Sequence, residues 1–260
     1  MSPRPALHAG FTMVELLVAM TLGLLLTVVI GQVFVTSKES YRTTEDLSRL
    51  QENARFAASQ MSRIVRMTSF VSDPLGNRAT IFPAGTLAID GTEGGGSTPD
   101  DITVRYQGSG SPAADGTVFD CHGNAVAAVN PLVLHAVARY YLAPGADGAS
   151  ALFCDNTGTV GVAGPGAIEL ASGVENMQIL YGEDTDADGT ANRYVARGDV
   201  GNLDNVVSAR IALLVRSANE VATAPDTRVY NLLGTNFDPV DDRRLRRVYT
   251  STITLRNRAP

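Results

Sequence analysis

The sequence predicts an α+β fold, one long N-terminal helix packed on an antiparallel β-sheet head. Three observations predict it. Residues 11–37 are apolar or small and uncharged except for one acid, Glu15, with Gln32 the largest polar residue. Residues 41–67 contain neither Gly nor Pro, and Leu47, Leu50, Ala54, Ala57, Met61 and Ile64 recur at spacings of three and four. From Asp73-Pro74 onward, alternation with a period of two replaces the helical period, broken by Gly- and Pro-rich loops. Across 260 residues there are 25 Gly, 12 Pro, no Trp and 6% aromatics, which suits a loop-rich β head better than a helical bundle.

The helix has two halves of different chemistry. At about 1.5 Å per residue, residues 11–37 would extend roughly 40 Å, enough to cross a bilayer core. This run is longer than the apolar core of a cleaved secretory signal, and residues 31–35 offer no small-residue cleavage site. Gly23 and Gly31 each weaken this half by up to about 1 kcal/mol relative to Ala. Residues 38–68 continue as an amphipathic helix, with Arg42, Glu45, Arg49, Glu52, Arg55, Arg63 and Arg66 mostly off the apolar stripe. The small Ala54, Ala57 and Ala58 suit close packing on a sheet; a free-standing heptad pair is the alternative. Residues 69–260 form the head. Its strand candidates are residues 102–106, 132–142, 173–181, 206–216, 229–233 and 248–256. In the clearest, Val207, Ala209, Ile211, Leu213 and Val215 share one face. Residues 229–233 are a candidate partner for that strand.

A carboxylate four residues into a membrane helix is costly and needs a partner. The segment Gly10-Phe11-Thr12-Met13-Val14-Glu15, opening an apolar run, resembles the leader junction of type IV prepilins and type II secretion pseudopilins. The resemblance implies a type IV pilin-like fold. It also implies cleavage between Gly10 and Phe11 by a prepilin peptidase, N-methylation of the new Phe11 amine, and pairing of Glu15 with the amine of a neighbouring subunit. In hydrocarbon, such opposite charges attract far more strongly than in water, so each offsets the other's burial cost. One departure is that Ala9 precedes Gly10, where such leaders often carry Lys or Arg. The charges flanking the apolar run are mixed, so the positive-inside signal is weak. A head outside the cytoplasm therefore rests on the resemblance and on the cysteines.

Glu52-Asn53-Ala54-Arg55-Phe56-Ala57 narrows the likeness to the PilW group of minor pilins. So do the segments at residues 173–182, 184–189 and 243–249. That likeness implies a place in a small priming complex at the pilus tip, with motility, adhesion or DNA uptake as the process served. The implied partners are other minor pilins and the major pilin, the prepilin peptidase, the inner-membrane assembly platform, and membrane lipid before assembly. A minor pseudopilin of a type II secretion system is the nearest alternative, and a single-pass anchored periplasmic enzyme or binding protein a more distant one.

Cys121 and Cys154 are the only cysteines. In an extracytoplasmic domain two cysteines favour a disulfide, worth ~3–4 kcal/mol on the chain-entropy account for a loop of about 30 residues. Two free buried thiols are the alternative. Asp184, Asp186 and Asp188, beside Glu183 and ending at Gly189, place oxygen ligands at alternate positions as a Ca²⁺ loop would. An EF-hand would need Glu at the twelfth position, which is Val195. The competing reading is a solvated acidic turn, and no other cofactor is implied. Arg243, Arg244, Arg246 and Arg247 read as a solvated, partly ion-paired connection. A contact with a neighbouring pilin or with DNA is the minority reading. With a net charge of −6 and no aromatic platform beside the arginines, DNA is not expected as a direct ligand. An enzyme is not expected either. No G-x-S-x-G or H-E-x-x-H motif occurs, and the three histidines, His8, His122 and His135, are scattered.

Overall fold

In a computed structural model, residues 12–72, 81–82, 85–96, 98–111, 113–128, 136–156 and 166–258 are described. Gly10 and Phe11, His8 and His135, and the first part of the 132–142 strand candidate lie outside them.

Helix α1 runs Met13–Val65. By packing the chain divides into two units, Met1–Glu45 and Asp46–Pro260. In the first unit, every described residue from Thr12 to Arg42 is exposed, including apolar side chains from Met13 to Val35. This part of the helix is long and apolar enough to cross a membrane.

The second unit is built on the rest of α1. Its stripe of Leu50, Ala54, Ala57, Met61, Ile64 and Val65 is buried, and Ala54 and Ala57 are fully covered. The methyl side chains let the helix backbone lie close to its neighbours. After Val65 the chain turns. Thr68 donates its hydroxyl to the Val65 carbonyl, and the Asn257 side-chain amide donates to the carbonyls of Arg66 and Thr68. Carbonyls at the helix end are satisfied within this turn, and the turn itself is tied to the far end of the chain.

Two antiparallel sheets share one core with this helix segment. The first is a five-stranded meander in sequence order: β1 (Ile89–Asp90), β2 (Ile102–Tyr106), β3 (Ala136–Pro144), β4 (Ser150–Asp155) and β5 (Ala167–Ser172). The second takes β6 (Val174–Glu183), β7 (Arg193–Val195), β8 (Val206–Glu220) and β11 (Arg244–Thr254) in the order β11-β8-β6-β7. Ala209, Ile211, Leu213 and Val215 of β8 face the shared core, as the alternation predicts, but at the start of the strand, where the register against β6 shifts, Val206 joins the core in place of the expected Val207. Tyr106, Tyr140 and Tyr181 are fully buried. Each hydroxyl reaches a backbone carbonyl, that of Phe119, Gln60 and Asp90 respectively. Burial pushes all three phenols up, so they remain neutral donors.

The segment at 229–233 does not join the β8 ladder. Its strand β9 (Tyr230–Leu232) pairs with β10 (Thr235–Phe237) in a separate hairpin. Leu232 packs with Ala212 and Leu214, on the β8 face opposite the main core. Both faces of β8 are therefore covered at these positions, which explains its nearly continuous apolar run.

Candidate assembly and interaction sites

Glu15 sits in the first turn of α1. Its Oε2 accepts the Thr12 backbone N–H at 2.9 Å and the Thr12 hydroxyl at 3.0 Å, while its own N–H donates to Thr12 Oγ1 at 3.2 Å. This is a capping box, in which the first residue and the third helical residue satisfy each other's open backbone groups. The signal for it, Thr-x-x-Glu, is present in the sequence at Thr12 and Glu15. The carboxylate thus has a local hydrogen-bonded resting place within its own chain.

Cys121 and Cys154 are joined, with Cα atoms 6.4 Å apart. Cys154 lies on β4 and Cys121 in the loop after β2, so the bond ties that loop to the first sheet. Beside it, the fully buried Asp120 organises the turn. Its carboxylate accepts the N–H groups of His122 and Asn124 and the side-chain amide of Asn156. His122 Nε2 lies 3.1 Å from the Cys154 carbonyl, and a carbonyl only accepts, so this nitrogen carries the proton.

Ligand oxygens of Asp184, Asp186 and Asp188 lie within 4.8 Å of one another. Asp184 is buried and already accepts three backbone N–H groups, from Asp186, Ala187 and Gly189. Burial pushes its carboxyl up, but the Gly189 and Ala187 donors outweigh this and hold it below the usual carboxylate value. Asp186 and Asp188 are exposed. Next to the loop, Glu183 is bound by Arg193 at 2.7 Å and by the Asn202 N–H at 2.9 Å, which lower its pKa.

Among the arginines near the C-terminus, Arg246 departs from the solvated, partly ion-paired reading. Arg246 has a fully buried side chain. It grips Glu175 with two nitrogens, Nε to Oε2 at 2.7 Å and Nη2 to Oε1 at 3.1 Å. Its Nη1 lies 2.8 Å from Asp242 Oδ1, an ion pair without hydrogen-bond alignment. Arg216 lies 3.4 Å from the same Glu175, and Arg244 lies 3.4 Å from the same Asp242. Strand register explains the arrangement. Arg246 and Arg216 are directly opposite each other on β11 and β8, where like charges repel. The register of β6 against β8 shifts between Val174 and Asn176, with Glu175 at the irregularity. Such bulges re-aim a side chain, and here the carboxylate meets both guanidinium groups. The two acids raise the Arg246 pKa despite its burial. Arg243 and Arg247 are exposed, and Arg243 contacts Glu220. Neither the burial of Arg246 nor its partner 71 positions away is visible in the local sequence.

Residues 139–257 match the family described as Type IV Pilus-assembly protein W, PilW. The match includes Glu175, Asp242 and Arg246, and also the acidic loop. Among solved structures, the chain is similar to a type IV-like pilin from Thermus thermophilus. The identity is 14%, the TM-score is 0.49, and the match covers 82% of this chain and 98% of that one. No curated protein matches it in sequence. The PilW match supports a type IV pilus-associated role.

Proposed function

We propose that this chain is a minor pilin of the PilW type that works by assembly rather than catalysis. A leader is cut between Gly10 and Phe11, and the new Phe11 amine is methylated. The exposed apolar half of α1 rests in lipid until it enters a bundle of sister helices, while the head makes lateral contacts with other minor pilins. The observation that carries this reading is an apolar helix surface running from Met13 to Val35, interrupted by one acid, in a chain whose C-terminal half matches PilW. Glu15 gives that helix a switchable partner. It caps its own N-terminus through Thr12 in the single chain, then exchanges this for a neighbour's ammonium in the filament. A priming complex near the pilus tip, and a role in motility, adhesion or DNA uptake, are the finer parts of the same proposal.

The test is the mass of the membrane form of the protein. A mature chain starting at methylated Phe11 supports the reading, and an intact N-terminus removes its central step. Co-purification with pilins, rather than with secretion-system pseudopilins, separates the pilus from its nearest alternative. The sequence-based expectation of Ca²⁺ at Asp184, Asp186 and Asp188 is carried forward as a proposal with its own test. Chelation should lower the melting temperature, and no change with no bound metal would remove the site.

A further inference from the structure

The ion network at Glu175 begins and ends in arginine. Arg216 binds Glu175, Glu175 binds Arg246, Arg246 binds Asp242, and Asp242 binds Arg244. Three guanidinium groups face two carboxylates, which leaves one surplus positive charge. The central Arg246 is sealed from solvent, so the surplus is expressed at the two ends. Both end arginines line the same cavity, of about 240 Å³. It opens beside Asn53 of α1, between the β3–β4 turn at Asp147 and the β5–β6 turn at Ser172 and Gly173.

We infer that this cavity is a binding site for a carboxylate. Among the described residues, Arg216 has one acidic contact, at 3.4 Å, to an acid already held bidentately by Arg246. Its fork therefore keeps donors for a second, planar acceptor. Arg244 is fixed in place by the carbonyls of Ser217 and Ala218, so its charge is held at the cavity wall without a mobile tail. The Asn53 side chain adds neutral hydrogen-bonding capacity at the rim. Asp147 is the one acid among the lining residues, and its Oδ1 accepts the Ala149 N–H, which keeps it in its own turn. The space far exceeds the roughly 10–15 Å³ that holds one water, so it suits a carboxylate together with the residue that carries it. Two fixed guanidinium groups select a flat two-oxygen anion in a way that a single ammonium does not. This inference does not depend on leader cleavage or on a filament, and its failure would leave the mass test above untouched.

The experiment is calorimetric titration of the full chain in a neutral detergent with four probes. These are acetyl-triglycine with a free C-terminus, its C-terminal amide, acetyl-glutamate amide, and sodium acetate. The free acid should bind and its amide should not. The acid that binds tightest tells whether the site takes a chain end, an acidic side chain or a small free anion. Arg216→Gln should weaken binding about tenfold, the usual effect of losing a charge-assisted hydrogen bond. Arg247→Gln, an exposed position absent from the cavity lining, should leave it unchanged. If Arg216→Gln does not fold, Asn53→Asp serves instead. It changes an exposed helix position and sets a negative charge at the rim, and it should also weaken the acid. Equal binding of acid and amide, or no binding of any carboxylate at about 10 mM, a concentration at which even weak sites are occupied, would overturn the inference.

Discussion

Replacing Arg246 with Ala tests whether the arginine run that opens the last strand is merely solvated or forms a structural lock. The wild-type side chain is fully buried and serves two acids. Its removal leaves Glu175 with Arg216 at 3.4 Å and Asp242 with Arg244 at 3.4 Å. Breaking a buried pair costs about 3–5 kcal/mol because the remaining charge stays desolvated. The two surviving arginines recover part of this, so the expected loss is about 3 kcal/mol, near the low end of that range. Arg247→Ala, one residue on and exposed, should shift stability by no more than about 0.5 kcal/mol. Urea unfolding of the detergent-solubilised chain, followed by circular dichroism, measures both. A further variant carrying Arg246→Met, Glu175→Gln and Asp242→Asn should recover part of the loss, since it removes both buried acids and leaves only the partly exposed Arg216 and Arg244 without them. If Arg246→Ala and Arg247→Ala unfold within about 1 kcal/mol of each other, the network contributes little and the reasoning fails.

Three other outcomes follow from the packing and the charges. Changing both Cys121 and Cys154 to Ser should lower stability by about 2–4 kcal/mol, read from the same urea curves, and addition of a reductant should then have no further effect. Ala54→Leu should cost about 1–3 kcal/mol by overpacking a fully covered helix position, whereas Ala→Leu at a solvent-facing helix site would be nearly neutral; a null result at Ala54 would refute the close docking of α1 in the second unit. Stability should fall as pH drops below about 4, because carboxyls with lowered pKa in the fold contribute above their unfolded value and lose that contribution as pH passes down through the folded one. Asp226 belongs to this set, lowered chiefly by Arg228, as does Asp242, where burial raises the pKa but Arg246 and Arg244 outweigh it. Tyr230, pushed up to about 12 by burial and by its bond to Asp226, stays protonated throughout. Asp100, raised by burial, works in the opposite direction and softens the loss. A melting temperature unchanged between about pH 6 and pH 2 would contradict this balance.

The helix was legible in the sequence because its burial has a local period. The stripe read from Leu50, Ala54, Ala57, Met61 and Ile64 is the stripe that is covered. The same holds for β2 at Ile102–Tyr106 and for the inward face of β8, where alternation reports the pleat. Strands β4 and β5 escaped notice. Each is six residues long and gives a weak periodic signal: Ala151 and Leu152 of β4 are adjacent and both buried, and in β5 only Ala171 is buried. The hairpin of β9 and β10 was misplaced because a short apolar stretch does not tell whether it pairs edge to edge or packs on a face.

What the sequence determined by itself is set by neighbours along the chain: an apolar helix with one acid, its amphipathic continuation, the strong strands, and Thr12 within reach of Glu15. What only the tertiary structure decided depends on groups far apart in sequence. A register shift at Glu175 and the register of β11 on β8 turn one arginine of a basic run into a buried lock while Arg243 and Arg247 stay exposed. Charge is written residue by residue, but desolvation is imposed by the whole fold, so the environment of Arg246 could not be read from the four arginines alone.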